Sequence, residues 1–201
     1  RDSTVTCTAR ADDGKGGVTT DSAAVVIDNQ APTVSGVSLS SSVVYTNDLL
    51  SVTATVSDPD GDALTTTYDW YVEGGSVQNG TSDTLNGASA TTGFDKDEAV
   101  YVVVSVTDGT DTATSTSTTL TVSNTPPEAP VVTSDPSDPA VGVDLFCEVT
   151  SESFDEDGDT VTYRMAWTFD AAPFSGATTD VWTDDTVDGS APLVNEVWVC
   201  T

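Results

Sequence analysis

The feature that most constrains this chain is an internal repeat of about 96 residues. VTCTARADDG at Val5–Gly14 matches VYVVVSVTDG at Val100–Gly109, 95 residues later. SDPDGDALTTTYDW, which ends at Trp70, matches SFDEDGDTVTYRMAW, which ends at Trp167, 97 residues later. IDNQAPTV around Asn29 matches VSNTPPEAPVV around Asn124, again 95 residues later. Because a fixed period marks copies of one structural unit, the fold of the chain follows from the fold of one copy.

The complete copy has the pattern of short β-strands, because apolar and polar residues alternate along it. The run Val100–Val106 places four valines on one face of a strand. The predicted strands are Val34–Leu39, Leu49–Val56, Leu64–Val72, Val100–Val106 and Thr112–Val122, with weaker strands within Ser76–Thr91. Helical periodicity with caps is absent from the sequence. A unit of this size with these strands predicts an all-β chain of tandem β-sandwich modules.

The repeat also predicts where the modules begin and end. We expect residues 1–28 to be the last two strands of a preceding module and residues 29–124 to be a complete module. Residues 125–201 would form a module that lacks its final strand. On this interpretation the sequence is a window cut from a longer array, and the strand at Asn195–Thr201 needs neighbours on both faces.

The charge balance narrows the choice of partners. The chain has 33 acidic residues, 5 basic residues and a formal net charge of −28. Such a surface repels phosphate backbones and anionic lipid headgroups, so we expect no nucleic-acid partner. No stretch approaches the roughly 18 apolar residues of a membrane span, so we expect no direct membrane insertion. Cations are the natural partners, although the charge also serves solubility outside the cell.

The residue types argue against catalysis. There is no histidine, which removes the commonest general base and the Ser-His and Cys-His nucleophile pairs. The sequence has neither a G-x-S-x-G elbow nor a glycine loop for phosphate. A carboxylate pair could still support hydrolysis, but among so many acids a chance pair predicts little. We therefore expect no enzymatic activity.

Three cysteines fall in register with the repeat. Cys147 lies in the second predicted strand of the last copy, Trp167 in the next, and Cys200 in the penultimate long strand. This order resembles the immunoglobulin pattern, in which a disulfide links two sheets and an indole packs against it. On that resemblance we predict a Cys147–Cys200 disulfide. The alternative is three unrelated buried thiols.

The other copies differ at these positions. Cys7 occupies the strand equivalent to that of Cys200, so its partner would lie about 46 residues before Arg1. The middle copy has Ser51 and Val102 at the matching places and no disulfide. A bridge would imply an oxidising compartment, so the predicted location is extracellular or at the cell surface.

The stretch NTPPEAPVV...DLFCEVTSESFDEDGDTVTYRMAWTF resembles repeats of bacterial and archaeal surface proteins. These are the immunoglobulin-like, polycystic-kidney-disease-like and cadherin-like groups, with N-x-x-P, S-x-D-x-D-G-D and Y-x-W motifs. The resemblance covers nearly the whole chain but rests on short motifs. The sequence departs from the polycystic-kidney-disease pattern after Trp70, which is followed by YVEGG, and after Trp167, which is followed by TFDAA. The resemblance implies a spacer, stalk, adhesin or appendage subunit.

Two acidic turns are the candidate metal sites, because calcium takes six to eight oxygen ligands. The candidate calcium ligands are Asp58, Asp60 and Asp62 in one turn and Asp155, Asp157 and Asp159 in the other. Neither turn is an EF-hand, because Gly61 and Gly158 stand at position four and not at position six. The alternative is a tight turn without metal. By resemblance to cadherins, Asp28 and Asn29 would join a site at the module junction.

Two features bear on sugars. Trp70, Trp167, Trp182 and Trp198 could form a stacking platform, but alignment places Trp182 at Leu85 and Trp198 at Val100, so we expect core positions. The only N-glycosylation sequon begins at Asn79.

The leading functional prediction is a non-enzymatic structural protein whose tandem modules form a rod, stalk or filament of a cell-surface appendage or adhesin. The alternative is a spacer or carbohydrate-binding accessory module of a secreted hydrolase. Expected partners are neighbouring repeats or identical chains in a filament, with surface glycans or other cells as further candidates. The incomplete last module would also offer an edge that another chain could complete by strand addition.

Overall fold

A computed structural model of the chain describes residues 3–175, 185–192 and 196–201. Every helix or strand in these ranges is a β-strand, which confirms the predicted all-β class. The ranges therefore hold no helix that could cross a bilayer. The chain divides into a first unit, Arg1–Ser123, and a second unit, Asn124–Thr201. This division falls one residue before the predicted border.

The chain begins with a β-hairpin. Strand β1 (Ser3–Asp12) pairs antiparallel with β2 (Val18–Ile27), and every residue of both strands is exposed. The Asp13 carboxylate accepts the backbone N–H groups of Lys15 and Gly17 at 2.8 and 2.9 Å and so fixes the turn. These bonds lower the pKa of Asp13. The assignment of this hairpin to a separate, preceding module stays a prediction.

The rest of the first unit contributes strands to two sheets. The strands are β3 (Thr33–Leu39), β4 (Val44–Tyr45), β5 (Leu49–Ser57), β6 (Thr65–Val72), β7 (Gly75–Gly80), β8 (Thr84–Asn86), β9 (Ala99–Thr107), β10 (Thr112–Thr116) and β11 (Leu120–Ser123). One sheet has the order β3-β5-β8. The other has the order β4-β11-β9-β6-β7, and β10 also pairs with β9.

Both sheets of the first unit bury their inward faces in one core, which makes the unit a β-sandwich. The largest buried side chain is Trp70 on β6, which is 0% exposed. The alternating valines of β9 lie beside it, as the sequence predicts. The core residues are Val44, Leu50, Val52, Trp70, Val72, Leu85, Phe94, Val100, Val102, Val104 and Val122.

The second unit repeats this plan with shorter strands. They are β12 (Val131–Asp135), β13 (Leu145–Ser151), β14 (Trp167–Phe169), β15 (Ala172–Phe174), β16 (Asp185–Val187) and β17 (Trp198–Cys200). The sheet orders are β12-β13-β16 and β15-β14-β17. The core residues are Leu145, Cys147, Val149, Met165, Trp167 and Val187. Of the predicted strand at 195–201, Asn195 lies outside the described residues.

One predicted strand is wrong in its extent. Thr112–Val122 is not continuous but forms β10 and β11, with a break around Ser117. The cause is a contact with the neighbouring strand: the Ser117 hydroxyl accepts the Val102 N–H at 3.1 Å, while the Ser117 N–H donates to the Val102 carbonyl at 2.9 Å. Because a side chain takes the place of a backbone acceptor, the pairing with β9 shifts register, as in a β-bulge.

Candidate metal centres

The first acidic turn follows β5 directly. Its organising group is the Asp58 carboxylate, whose Oδ1 accepts the backbone N–H groups of Asp60 at 2.8 Å and Asp62 at 3.1 Å. The Gly61 N–H donates to the Asp58 carbonyl at 3.3 Å. Gly61 has a φ of 79°, which glycine adopts without strain. The sequence Asp-Pro-Asp-Gly-Asp therefore folds as a tight turn with its carboxylates close together.

The second acidic turn has the same construction. The Asp155 Oδ1 accepts the N–H groups of Asp157 at 3.0 Å and Asp159 at 3.2 Å. The Gly158 N–H donates to the Asp155 carbonyl at 3.1 Å, and its φ is 73°. Since each of these bonds has its counterpart in the first turn, the repeat seen in the sequence extends to individual hydrogen bonds.

Each turn also holds the segment that leads into its own β-sandwich. In the first unit the Gln30 N–H donates to Asp60 Oδ2 at 2.7 Å. In the second unit the Thr125 N–H donates to Asp157 Oδ2 at 2.6 Å. Gln30 and Thr125 lie 95 residues apart, which is the spacing of the repeat. The middle aspartate of each turn thus has a positioning role in both units.

A third carboxylate completes the cluster of the first unit. Asp58, Asp62 and Asp108 each offer an oxygen, and these oxygens lie within 4.8 Å of one another. Asp108 follows β9 and is 6% exposed. Asp60, the third residue of the predicted set, is not part of this group. Asp108 is not among the predicted ligands, because it lies 50 residues from Asp58 in the sequence.

Asp108 is held in place by its own turn and by the segment before β3. Its Oδ1 accepts the backbone N–H groups of Thr110 and Asp111, both at 2.7 Å. The Asn29 amide donates to Asp108 Oδ2 at 2.9 Å and to Asp111 Oδ2 at 2.8 Å. Asn29, predicted to lie at a junction site, is therefore close to the first cluster.

The second cluster consists of the predicted residues. Asp155, Asp157 and Asp159 place one oxygen each within 4.8 Å of one another. Asp155 is 7% exposed, so its carboxylate is largely removed from water. Burying several carboxylates together is costly unless a cation or hydrogen bonds compensate their charge.

The geometry of both clusters fits a calcium ion. Calcium binds oxygen at 2.3–2.6 Å, so two ligands of one ion lie at most about 4.6–5.2 Å apart. The three oxygens of each cluster lie within 4.8 Å of one another, so a single ion could contact all three. In the first cluster Asp58 Oδ2 is buried and has no hydrogen-bond partner among the described residues. The carboxylates are hard oxygen donors, which suits calcium better than softer metals.

The structure joins Cys147 on β13 to Cys200 on β17. The Cα atoms are 5.9 Å apart, within the usual range for a disulfide. Since β13 and β17 belong to different sheets, the bond ties the two sheets of the second unit together. Trp167 lies directly opposite Cys200 on the neighbouring strand. Cys7, on the hairpin, is an exposed free thiol.

Strand pairing corrects the position assigned to the counterpart of Cys147. Cys147 pairs with Ser134 on β12, and Val52 pairs with Leu39 on β3. Because Ser134 lies 95 residues after Leu39, Val52 and not Ser51 is the equivalent of Cys147. Val52 is 4% exposed and faces the core, whereas Ser51 faces the other side of the strand.

Two of the tryptophans lie deep in the cores. Trp70 is 0% exposed and Trp167 is 1% exposed. Trp198 packs against the core of the second unit and makes an edge contact with Trp167 at 6.4 Å between ring centroids. None of these three forms an open platform.

The fourth tryptophan, Trp182, lies outside the described residues. Its alignment with Leu85 is not supported by strand pairing. Leu85 pairs with Leu50 on β5, and Val187 takes the same place opposite Leu145 on β13. Val187 is therefore the equivalent of Leu85.

Asn79 is exposed on β7, where a glycan could be attached. It lies opposite Asp69 on β6 and hydrogen-bonds to the Asp69 carboxylate. Burial alone would raise the pKa of Asp69, but hydrogen bonds from Ser76, Tyr71 and Asn79 outweigh it and leave the pKa lowered. Glycosylation of Asn79 stays a prediction.

The fold and these clusters give the structural class of the protein: it is an all-β chain of β-sandwich type with an acidic turn in each unit. No protein-family model matches the chain, and a search of curated proteins found no match.

Proposed function

We propose that the chain is a non-enzymatic structural protein of the cell exterior. Its tandem immunoglobulin-like modules would form a rod, stalk or filament of a cell-surface appendage or adhesin, and its acidic turns would hold calcium. The observation that carries the proposal is the repetition of one acidic turn, bond for bond, in both units.

Repetition of a site favours a structural role over a catalytic one. An enzyme needs one active site, whereas a rod needs the same reinforcement in every module. The Gln30 and Thr125 bonds show what is reinforced, because each ties the segment entering a sandwich to its acidic turn. A cation bound at the turn would neutralise the clustered carboxylates and make the turn more rigid, and so would stiffen the segment that the turn holds.

The disulfide and the net charge support a location outside the cell. A disulfide such as Cys147–Cys200 persists in oxidising surroundings. Calcium sites of extracellular modules are usually weak, with Kd values of about 10⁻⁴–10⁻³ M. Sites built from three carboxylates in short turns suit that range. The net charge of −28 favours solubility of a long exposed chain and disfavours contact with nucleic acid.

The alternative, a spacer or sugar-binding accessory module of a secreted hydrolase, has less support. Sugar-binding platforms use exposed aromatic rings. Trp70 and Trp167 are buried, so neither can offer its ring to a sugar.

Electron microscopy of intact source cells tests the proposal. Antibodies raised against the 201-residue chain and labelled with gold should decorate filaments or stalks outside the cell. Permeabilised cells serve as the control for internal protein. Label that appears only after permeabilisation would contradict the proposal.

A further inference from the structure

The outer face of the larger sheet of the first unit carries two stacked tyrosines. Tyr71 on β6 lies directly opposite Tyr101 on β9. Their strand neighbours Trp70 and Val102 belong to the core, so the two tyrosines point away from it. The rings are parallel, with an interplanar angle of 1° and centroids 4.8 Å apart, and are therefore in contact. Both side chains are only partly buried, so solutes can reach the rings.

One of the two phenols has a proton acceptor in place. The Tyr71 hydroxyl donates to Asp69 Oδ2 at 2.8 Å. Burial raises the pKa of Asp69, but hydrogen bonds from Ser76, Tyr71 and Asn79 outweigh burial and leave the pKa lowered, so the carboxylate is ionised at neutral pH. The hydrogen bond to Asp69 also raises the pKa of Tyr71. The phenol therefore keeps its proton until the ring is oxidised.

The tyrosine pair distinguishes the first unit from the second. The equivalent positions of the second unit, 97 and 98 residues later, are Thr168 and Val199, which lie opposite each other in the same way. The disulfide of the second unit has no counterpart in the first, where Val52 and Val102 occupy its positions. The unit that lacks the disulfide is therefore the one that carries the tyrosine pair.

We propose that Tyr71 and Tyr101 form a modification site, at which a peroxide-dependent oxidation joins the two rings into dityrosine. Radicals formed on rings already in contact couple without a diffusional encounter. Tyrosine χ2 torsions are soft, so the rings can tilt out of the stack as the bond forms. The proposal goes beyond the structural role proposed above and concerns these two side chains alone.

The oxidant in this reaction is hydrogen peroxide, used by a peroxidase that is a separate protein. Each phenol loses one electron and its hydroxyl proton and becomes a neutral radical. The proton of Tyr71 passes to Asp69 and that of Tyr101 to water. The radicals form one C–C bond between the ring carbons next to those that bear the hydroxyls.

Loss of the remaining ring hydrogens completes the reaction. Each newly bonded ring carbon releases its hydrogen as a proton, and each phenolic oxygen takes up a proton through water, which restores both phenols. In all, the chain loses two hydrogen atoms and one hydrogen peroxide becomes two water molecules.

The product would join two neighbouring strands of one sheet. Strands β6 and β9 are adjacent in the larger sheet, and the two tyrosines are 30 residues apart in the sequence. A cross-link of this kind restricts the unfolded chain, as a disulfide does. After oxidation the first unit should therefore unfold at a higher temperature, and the second unit at an unchanged one.

Oxidation of the intact chain with a peroxidase and dilute hydrogen peroxide tests the proposal. Dityrosine fluorescence should appear, and mass spectrometry should show a monomer lighter by two hydrogen atoms. After proteolysis, the fragments that contain Tyr71 and Tyr101 should be joined. The rate constant should not depend on the concentration of the chain, because both rings belong to one molecule. N-acetyltyrosine, oxidised separately under the same conditions, confirms that the oxidant is active.

Variants of the intact chain test which rings react. Tyr71→Phe and Tyr101→Phe should each abolish the lighter monomer. Tyr45→Phe is the matched control and should leave the yield unchanged, because Tyr45 is 41% exposed but stacks on no ring among the described residues. Each variant removes only a hydroxyl group, so circular dichroism should show all three folded.

Asp69→Asn tests the proton acceptor. This variant should form the link at least about tenfold more slowly, because an amide cannot take the phenolic proton. A high concentration of a buffer base should restore much of its rate and change that of the unmodified chain little. A merely structural role of Asp69 would not be compensated by buffer.

Several results would overturn the proposal. One is the absence of the lighter monomer when N-acetyltyrosine dimerises under the same conditions. Others are a link that forms only between chains, a link that survives Tyr71→Phe, and a link that is lost in Tyr45→Phe. Surface labelling of cells does not depend on this reaction, so the two proposals can fail separately.

Discussion

Each strand pairing described in the second unit has a counterpart in the first, but the two units hold their sheets together differently. In the first unit Val52 and Val102 occupy the positions at which the second unit has Cys147 and Cys200. Among the described residues, the first core contains 11 buried side chains and the second 6. The disulfide therefore occurs where apolar burial is smaller. The fold therefore depends on strand pairing and register, which both units share. The disulfide is an additional link found in the second unit.

Removing the disulfide should have the largest effect. A bridge closing a 53-residue loop contributes about 4 kcal/mol in the chain-entropy account. Calorimetry of the intact chain should show that reductant lowers the unfolding temperature of the second unit and leaves that of the first unit unchanged. A Cys147→Ala variant should reproduce the shift without reductant. Equal shifts of both units, or none, would contradict the comparison.

A new cross-link in the first unit should have the next largest effect. Val52→Cys with Val102→Cys should oxidise to a disulfide and stabilise that unit by about 2–4 kcal/mol. Ser51→Cys with Val102→Cys is the control and should keep both introduced thiols free in addition to Cys7, because Ser51 faces away from the core. Thiol counting by mass spectrometry distinguishes the two. Ready oxidation of the Ser51→Cys pair would show that the assigned register is wrong.

Replacing Asp185 should change the free energy of unfolding less than the changes to the disulfides. It lies opposite Cys147, is 1% exposed, and its oxygens have no hydrogen-bond partner among the residues described. Burial raises its pKa above the ordinary value of 3.8. The protonated form therefore favours the folded state. Its contribution to stability is present below the ordinary pKa and is lost as pH rises through the raised pKa.

The variant Asp185→Asn should stabilise the second unit at pH 7 by about 1–3 kcal/mol, because it removes a buried charge. At pH 3 it should make little difference. Urea unfolding of the variant and of the unmodified chain at pH 7 and pH 3 measures the difference in the free energy of unfolding. Asp83→Asn is the control, since Asp83 is exposed and precedes β8 of the first unit. A stabilisation of equal size at both pH values would contradict the assignment to Asp185.

Local alternation was enough to predict most of the strands. The run at Val100–Val106 alternates without interruption, and β9 spans it with one residue added at each end. Alternation could not predict the break at Ser117, because that break depends on a bond to Val102, 15 residues earlier.

Register was harder to predict than strand existence. The repeat in the sequence matches Ser51 to Cys147, one residue from the counterpart that strand pairing gives. A slip of one residue moves a side chain to the opposite face of a strand, so a small alignment error becomes a wrong core position. Only the pairing of Val52 with Leu39 corrects it.

The acidic turns were predictable because each is local in sequence. Asp155, Asp157 and Asp159 come together within a single turn. Asp108 was not predictable in this way. It reaches Asp58 and Asp62 only because β5 and β9 end on the same side of the sandwich, which is a consequence of topology.

Calcium titration of the intact chain by calorimetry tests the central claim, that both units are copies of one module and that each has a cation site at its acidic turn. We expect about two sites per chain, with Kd values near 10⁻⁴–10⁻³ M. Asp62→Asn and Asp159→Asn occupy equivalent positions, and each should remove one site. Asp138→Asn, at an exposed position outside both clusters, should remove none. The absence of calcium binding, or a stoichiometry that neither Asp62→Asn nor Asp159→Asn changes, would contradict the claim.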